Sequence, residues 1–253
     1  CSAMALKHLG RRLDVHTGGI DHIPTHHNNE IAQTESVTGE RFVNYWLHVA
    51  FITIEGKKIS KSAGNQILLR NVVDRGISPL AYRYWLLTAH YRSSMNFTWD
   101  ALEGAQTALF RLHRHFVENL GTRKKGKVAE TYQEKFHQFI NDDIDTPKAT
   151  ALLFELMKDE SLSKQDARAT FLDFDQVLGL GFKESNRQFL ENLSGKTKIA
   201  VEEVPKEIKE LLEKRELARK EKNWEEADRL RNEIRKLGYE IVDSESGPVV
   251  TRE

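Results

Sequence analysis

The sequence predicts an α/β segment followed by an all-α region, and three observations carry that prediction. Residues 1–66 set short apolar runs between Gly-rich connections, whereas residues 67–194 carry apolar positions at helical spacing. Residues 195–253 repeat the helical pattern after a linker and end in two short strand-like runs. With 253 residues, the chain is long enough for one large domain or two modest ones with cores of their own.

In the first region, the run 43–51 and the strand-like 51–54, stopped by Gly56, are the apolar pieces of an α/β fold. In the second, Leu102, Ala105, Leu109, Leu112, Phe116 and Leu120 recur at steps of three and four, tracing one stripe that Gly121 terminates. Tyr132, Phe136 and Ile140 mark another helix. Asp145-Thr146-Pro147 reads as a helix start with proline in the first turn, leading to Leu152, Leu153 and Leu156. Ser163 caps a further helix carrying Phe171, Phe174 and Leu178, which Gly179 and Gly181 stop. Stripes of this kind are unstable alone, so the region is expected to be a helix bundle.

Residues 184–204 read as a linker. Beyond Pro205, Ile208, Leu211, Leu212 and Ala218 line one helix. Asn223 caps the next, with Glu226 as back-bonding partner and Ala227, Leu230, Ile234 and Leu237 on its inner face. Gly238 closes it, and 239–242 with 249–252 are expected to pair as a hairpin across Ser246-Gly247.

Bulk properties narrow the function classes. A composition 39% hydrophobic and 30% charged fits a globular protein rich in surface helix, and the zero net charge gives no global attraction for nucleic acid. The charge is uneven, though: Arg111, Arg114, Arg123, Lys124, Lys125 and Lys127, with His113 and His115 among them, face only Glu118. No apolar run approaches the ~20 residues that span a bilayer. The single cysteine, Cys1, excludes an internal disulfide and fits a reducing compartment such as the cytoplasm. The absence of an initiator methionine before the dense opening sequence reads as a truncated chain.

Three short segments carry residue types suited to chemistry. If Thr25 opens a helix, His26 and Glu30 lie four apart on one face, as a metal-holding pair or a hydrogen-bonded surface pair. Cys1 adds a thiol, which with them makes an acceptable set of zinc donors, or is an ordinary buried free cysteine. Lys58 and Lys61, spaced by hydroxyls and bracketed by Gly56 and Gly64, suit a mobile cationic loop closing on phosphates, or a plain exposed turn. Gly18 and Gly19 after a strand leave amides free to face a ligand, with Asp21 placed to accept from ribose hydroxyls; a simple Gly-Gly turn fits equally.

The segment Lys58-Ile59-Ser60-Lys61-Ser62 resembles the signature lysine loop of class I aminoacyl-tRNA synthetases. The order of further segments resembles the cysteinyl-tRNA synthetase family: Cys1-Ser-Ala-Met, His16 through Gln33, His90-Tyr91-Arg92-Ser93, Asn141 through Pro147, and Trp224 through Arg231. The resemblance implies the distal part of a Rossmann-like catalytic domain in residues 1–66. It implies a stem-contact and anticodon-binding helix bundle in 67–194, and a linker with a small helical and hairpin unit in 195–253. It implies zinc ligands at Cys1, His26 and Glu30, an adenosine-binding turn at Gly19 and Asp21, and ATP contacts from Lys58 and Lys61, with Lys61 catalytic. It further implies ATP with Mg2+, cysteine and tRNA as substrates and a cysteinyl-adenylate on the way. His22 and His27 fall near this site without being ligands in the family. Ile59 stands where methionine is usual, and Thr25 and Asn28 stand where proline and glutamate are frequent. The family's His-Ile-Gly-His motif and its fourth zinc ligand, another cysteine, match nothing in this sequence, so the fragment alone is expected to be inactive. A related cysteine ligase of mycothiol synthesis shares the zinc and lysine features but has no reason to keep residues 224–231. A non-catalytic tRNA-binding fragment has no reason to keep Cys1, His26, Glu30 and Lys61 together.

Overall fold

The structure, a computed structural model, describes residues 1–58, 67–121, 125–193, 198–199, 204–221, 223–244 and 247–252. It divides into two compact units, Cys1–Leu68 with Pro79–Lys183, and Leu69–Ser78 with Glu184–Glu253.

The first unit opens with α1 (Ser2–Leu9), β1 (Leu13–Gly19), α2 (Asn28–Thr38) and β2 (Val43–Val49). β1 and β2 pair in parallel with His16 opposite Trp46 and Gly18 opposite His48, so α2 is the crossover of a βαβ unit. Gly39 stops α2 in the left-handed conformation, at φ 70°. Strand β3 (Ile52–Ile54) then turns tightly into β4 (Lys57–Lys58), with Thr53 opposite Lys58. Glu55 and Gly56, the two turn residues, both have positive φ, which matches the twist of a hairpin. β3 also pairs in parallel with β5 (Met95–Phe97).

Next along the chain come α3 (Leu69–Asp74), which belongs to the second unit, and α4 (Pro79–Leu87). The bundle of the first unit continues with α5 (Trp99–Arg114), α6 (Glu130–Asn141), α7 (Thr146–Lys158) and α8 (Lys164–Leu178). The predicted stripe is buried along its whole length, from Leu102 to Leu120, although a π-helical turn at His115–Asn119 replaces the last α-turns. Asp145 and Ser163 cap α7 and α8 as their types require, accepting from the Lys148 and Asp166 amides. Phe136 and Phe174 stack at 4.1 Å between α6 and α8. Between α6 and α7, Asp143 and Ile144 both have positive φ, strained for residues with a Cβ. Arg92 grips the Asp143 carboxylate with two hydrogen bonds, at 2.6 and 3.1 Å, and the Tyr91 hydroxyl donates to it as well.

The second unit contains α9 (Arg187–Leu193), β6 (Lys198–Ile199), α10 (Lys206–Lys220), α11 (Trp224–Lys236), β7 (Tyr239–Ser244) and β8 (Gly247–Arg252). β8 lies between β6 and β7, antiparallel to both, so the expected hairpin forms and is longer than predicted. Its core gathers Val204, Ile208, Leu212, Ile234, Ile241 and Val250. Three expectations fail here, the first being Leu237, which is exposed and does not join the inner face of α11. The stretch 184–204 is not simply a linker, because α9 buries Leu190 and Leu193 within a mostly polar sequence. Asn223 caps α11 as expected, but the Glu226 carboxylate takes two hydrogen bonds from Arg229 instead of reaching back to the cap. No helix among the described residues is long and apolar enough to cross a membrane.

Candidate metal and nucleotide site

The βαβ crossover gathers five of the first region's six histidines, His16, His22, His26, His27 and His48, in one place. His16, on β1, and Trp46 and His48, on β2, point toward α2, and the chain enters α2 through a π-helical turn, Ile23–His27. The helical path therefore begins before Thr25, earlier than expected. His26 and Glu30 still face one another, 3.6 Å apart across four residues. Cys1 reaches the same point from α1, where it occupies the N-cap and is exposed. The Ser2 hydroxyl, buried beneath it, donates to the Gln33 side chain at 3.0 Å and fastens α1 to α2. One ligand atom each from Cys1, His26 and Glu30 lies within 4.8 Å of the other two.

Glu30 is 5% exposed, and a carboxylate buried to that degree needs partners. His16 supplies one, donating from Nε2 to Oε2 at 2.7 Å. Behind it, Nδ1 of His27 and Nε2 of His48 share a hydrogen bond of 2.8 Å. Trp46 lies against both rings, with centroids 4.9 Å from His16 and 4.7 Å from His27. Burial first, and then the neighbouring His16 and His48 rings, lower the His27 pKa. Nδ1 of His22 is buried in the same layer with no hydrogen bond from the described residues.

The donor set fits a zinc ion. Sulfur, imidazole nitrogen and carboxylate oxygen are its ordinary protein ligands, and the residues that offer them already converge. The second oxygen of Glu30 is tied by His16, the kind of outer contact that orients a ligating carboxylate.

The glycine pair differs from the expected turn. Gly18 and Gly19 end β1 itself, and the turn comes after them, as a 3-10 helix at Ile20–His22. Gly18 is small because His27 packs against its backbone: a Cβ there would lie 2.5 Å from a ring carbon of His27. A Cβ on Gly19 would collide with the Asp21 carboxylate, which is exposed and folds back over the strand end. Lys58 closes β4, and Lys61 lies outside the described residues. Of the basic stretch, Arg111 and Arg114 are exposed on α5, whereas His113 is fully buried and stacked on Phe182 at 4.4 Å. Burial lowers the His113 pKa to about 4, so it adds no charge to that surface. Arg123 and Lys124 lie outside the described residues.

The histidine layer is the feature the sequence does not announce. Its signal is compositional, six of the ten histidines falling within the first 66 residues, and only the parallel pairing of β1 and β2 brings His16, His27 and His48 together.

Residues 1–107 match the catalytic domain of class I (C) tRNA synthetases, and residues 201–247 match the anticodon-binding domain of cysteinyl-tRNA ligase. The fold of a leucyl-tRNA synthetase (LeuRS) from Agrobacterium radiobacter K84, solved with tRNA and LeuAMS, superposes on 72% of this chain and 26% of its own, with a TM-score of 0.53 at 19% identity. These features define a class I aminoacyl-tRNA synthetase fold. Cysteine–tRNA ligase 1 of Burkholderia lata is 41% identical over 98% of this chain and 49% of its own length. The cysteine–tRNA ligase of Chlamydia felis is 39% identical over 100% and 54%. The chain belongs to the cysteinyl-tRNA synthetase family, and it spans about half the length of the curated relatives it matches.

Proposed function

We propose that this chain supplies the amino-acid-selecting metal centre, the phosphate loop and tRNA-binding helices of an enzyme that joins cysteine to its tRNA, using ATP and Mg2+ through a cysteinyl-adenylate. The observation that carries the reading is the convergence of Cys1, His26 and Glu30 in a member of the cysteine family. The chemical difficulty is telling cysteine from serine or alanine. An apolar pocket separates such close analogues by only about 1–3 kcal/mol. Zinc, when bound, takes a substrate thiolate as a ligand and leaves a hydroxyl or methyl group unrewarded. Cys1 contributes anionic sulfur at a helix N-terminus, where the helix dipole favours negative charge. His26 contributes a ring nitrogen, and Glu30 an oxygen whose direction His16 fixes.

Lys61 stabilises charge on the ATP phosphates as pyrophosphate leaves, with Lys58 at the foot of the same loop. Asp21, exposed beyond the Gly19 strand end, accepts from the ribose hydroxyls. Exposed Arg111 and Arg114 meet tRNA phosphates, giving affinity that falls with salt. In the second unit, a cavity of about 350 Å³ lined by Asp228, Arg231, Asn232, Arg235 and Ile241 offers donors and acceptors suited to base edges.

In the full-length protein, Lys61→Ala is expected to slow cysteine-dependent ATP–pyrophosphate exchange by roughly 10²–10³ while cysteine affinity stays unchanged. Exchange at the unaltered rate would sink the role of Lys61. A full-length protein that contains no zinc, or activates serine as well as cysteine, would sink the selection mechanism.

A further inference from the structure

Strand β5 reaches back to the hairpin that ends at Lys58. In the parallel pairing of β3 with β5, Asn96 lies opposite Thr53. Its side-chain Oδ1 accepts from the Gly56 amide at 2.7 Å and from the Thr53 hydroxyl at 3.0 Å. The Glu55 amide donates to the Phe97 carbonyl at 3.1 Å. Both turn residues between β3 and β4 are therefore held by a strand lying 40 positions further along the chain. We propose that Asn96 is a positioning residue for Lys58: it fixes the turn from which β4 departs, and so the placing of that lysine on the ATP phosphates. The inference rests on the phosphate-contact reading of Lys58 given above.

Three observations support it. First, Glu55 has a φ of 48°, a left-handed conformation that costs a residue with a Cβ and persists only where neighbours enforce it. Asn96 and Phe97 are those neighbours. Second, asparagine is a poor strand former and Asn96 is exposed, so neither strand propensity nor core packing accounts for it. The Gly56 N–H can only donate, which turns the oxygen of the Asn96 side chain, and not its nitrogen, toward the turn. Third, β5 is anchored at both ends. Phe97 is 4% exposed and meets Trp85 and Trp99 edge-on, with centroids 5.6 and 5.2 Å away. Thr98 follows directly and caps α5, accepting from the Ala101 amide. On the other side, the Tyr91 carbonyl accepts from the Ala50 amide at 2.8 Å, while Arg92 grips Asp143. A hairpin of three-residue and two-residue strands is too short to hold its own direction, and the anchored strand beside it supplies that direction.

The test measures cysteine-dependent ATP–pyrophosphate exchange in the full-length protein for Asn96→Ala, Asn96→Asp, Lys58→Ala and the Asn96→Ala/Lys58→Ala pair. Because Asn96 is exposed, none of its replacements opens a cavity in the core. Asn96→Ala removes the acceptor of two hydrogen bonds and is expected to lower kcat roughly tenfold, with the KM for cysteine unchanged. Asn96→Asp keeps an acceptor oxygen in the same place and is expected to recover most of the rate. Lys58→Ala is expected to be slower than Asn96→Ala. Adding Asn96→Ala to it is expected to change the rate by less than about twofold, because the brace acts through that lysine. An unaltered kcat in Asn96→Ala, no recovery in Asn96→Asp, or a further loss of about tenfold in the pair overturns the proposal and leaves the Lys58 reading in place. An unaltered rate in Lys58→Ala overturns that reading, and the proposal with it.

Discussion

The histidine layer and the helix bundle of the first unit bury aromatic rings by opposite rules. In the bundle, Phe116, Phe171, Phe174 and Phe182 are fully buried and touch mostly other rings and aliphatic chains. Beneath β1 and β2, the rings are His16, His27, His48 and Trp46, and each is fixed by a partner in a particular direction. An apolar core tolerates exchange of shape for shape, whereas a polar layer depends on every donor meeting its acceptor. Stability is therefore expected to rest on the bundle and, on the proposed function, chemical specificity on the layer.

Substitutions can test that division. The largest expected effect is Phe174→Ala, which removes one ring of the 4.1 Å stack and is expected to cost about 3–5 kcal/mol in denaturant unfolding. Cobalt bound at the candidate metal site of the folded fraction should keep its spectrum, and a changed spectrum would show that the two regions are coupled.

His113 is the bundle's exception, an imidazole inside the apolar core, and pH is its probe. Its pKa is lowered by burial to about 4, against an ordinary 6.5. The unfolded chain therefore takes up a proton between pH 6.5 and 4 that the folded chain refuses. Stability should fall by about 3 kcal/mol as pH drops through that window. His113→Leu should flatten this part of the profile, and an unchanged slope would exclude His113 as its source. Buried His27 pushes in the same direction, so some acid sensitivity remains in the variant.

Gly18→Ala sharpens the comparison from the other side. The added methyl would meet the His27 ring at 2.5 Å, and overpacking of this kind costs about 1–3 kcal/mol. Here metal affinity is expected to weaken along with stability, and full affinity would show that the ring can shift without consequence. The smallest effect is Asp145→Ala, which removes the cap from α7 and should cost about 1 kcal/mol with no change at the candidate metal site.

The same contrast explains what could be read from the sequence. Leu102 to Leu120 announce a helix because the core wants any apolar residue at each turn, and Asp145, Ser163 and Asn223 announce helix starts because caps are local. His26 and Glu30 were legible as a pair because four residues of helix join them. The links from Ser2 to Gln33, from His16 to Glu30 and from His27 to His48 were not, since they cross 31, 14 and 21 positions and depend on how β1 and β2 pair. The helix at Arg187–Leu193 escaped because only two of its apolar residues face inward.

The hydroxyl of Ser2 has a further consequence. Imidazole and carboxylate belong to the chain running through α2, but the thiol arrives on a separate helix, which packs on α2 and which this hydrogen bond ties to Gln33. Sliding α1 by a fraction of a turn would withdraw the sulfur and leave the other donors where they are. On the proposed zinc reading, preference for a soft over a hard ligand would thus depend on the seating of an eight-residue helix, to which a residue with no chemistry of its own contributes.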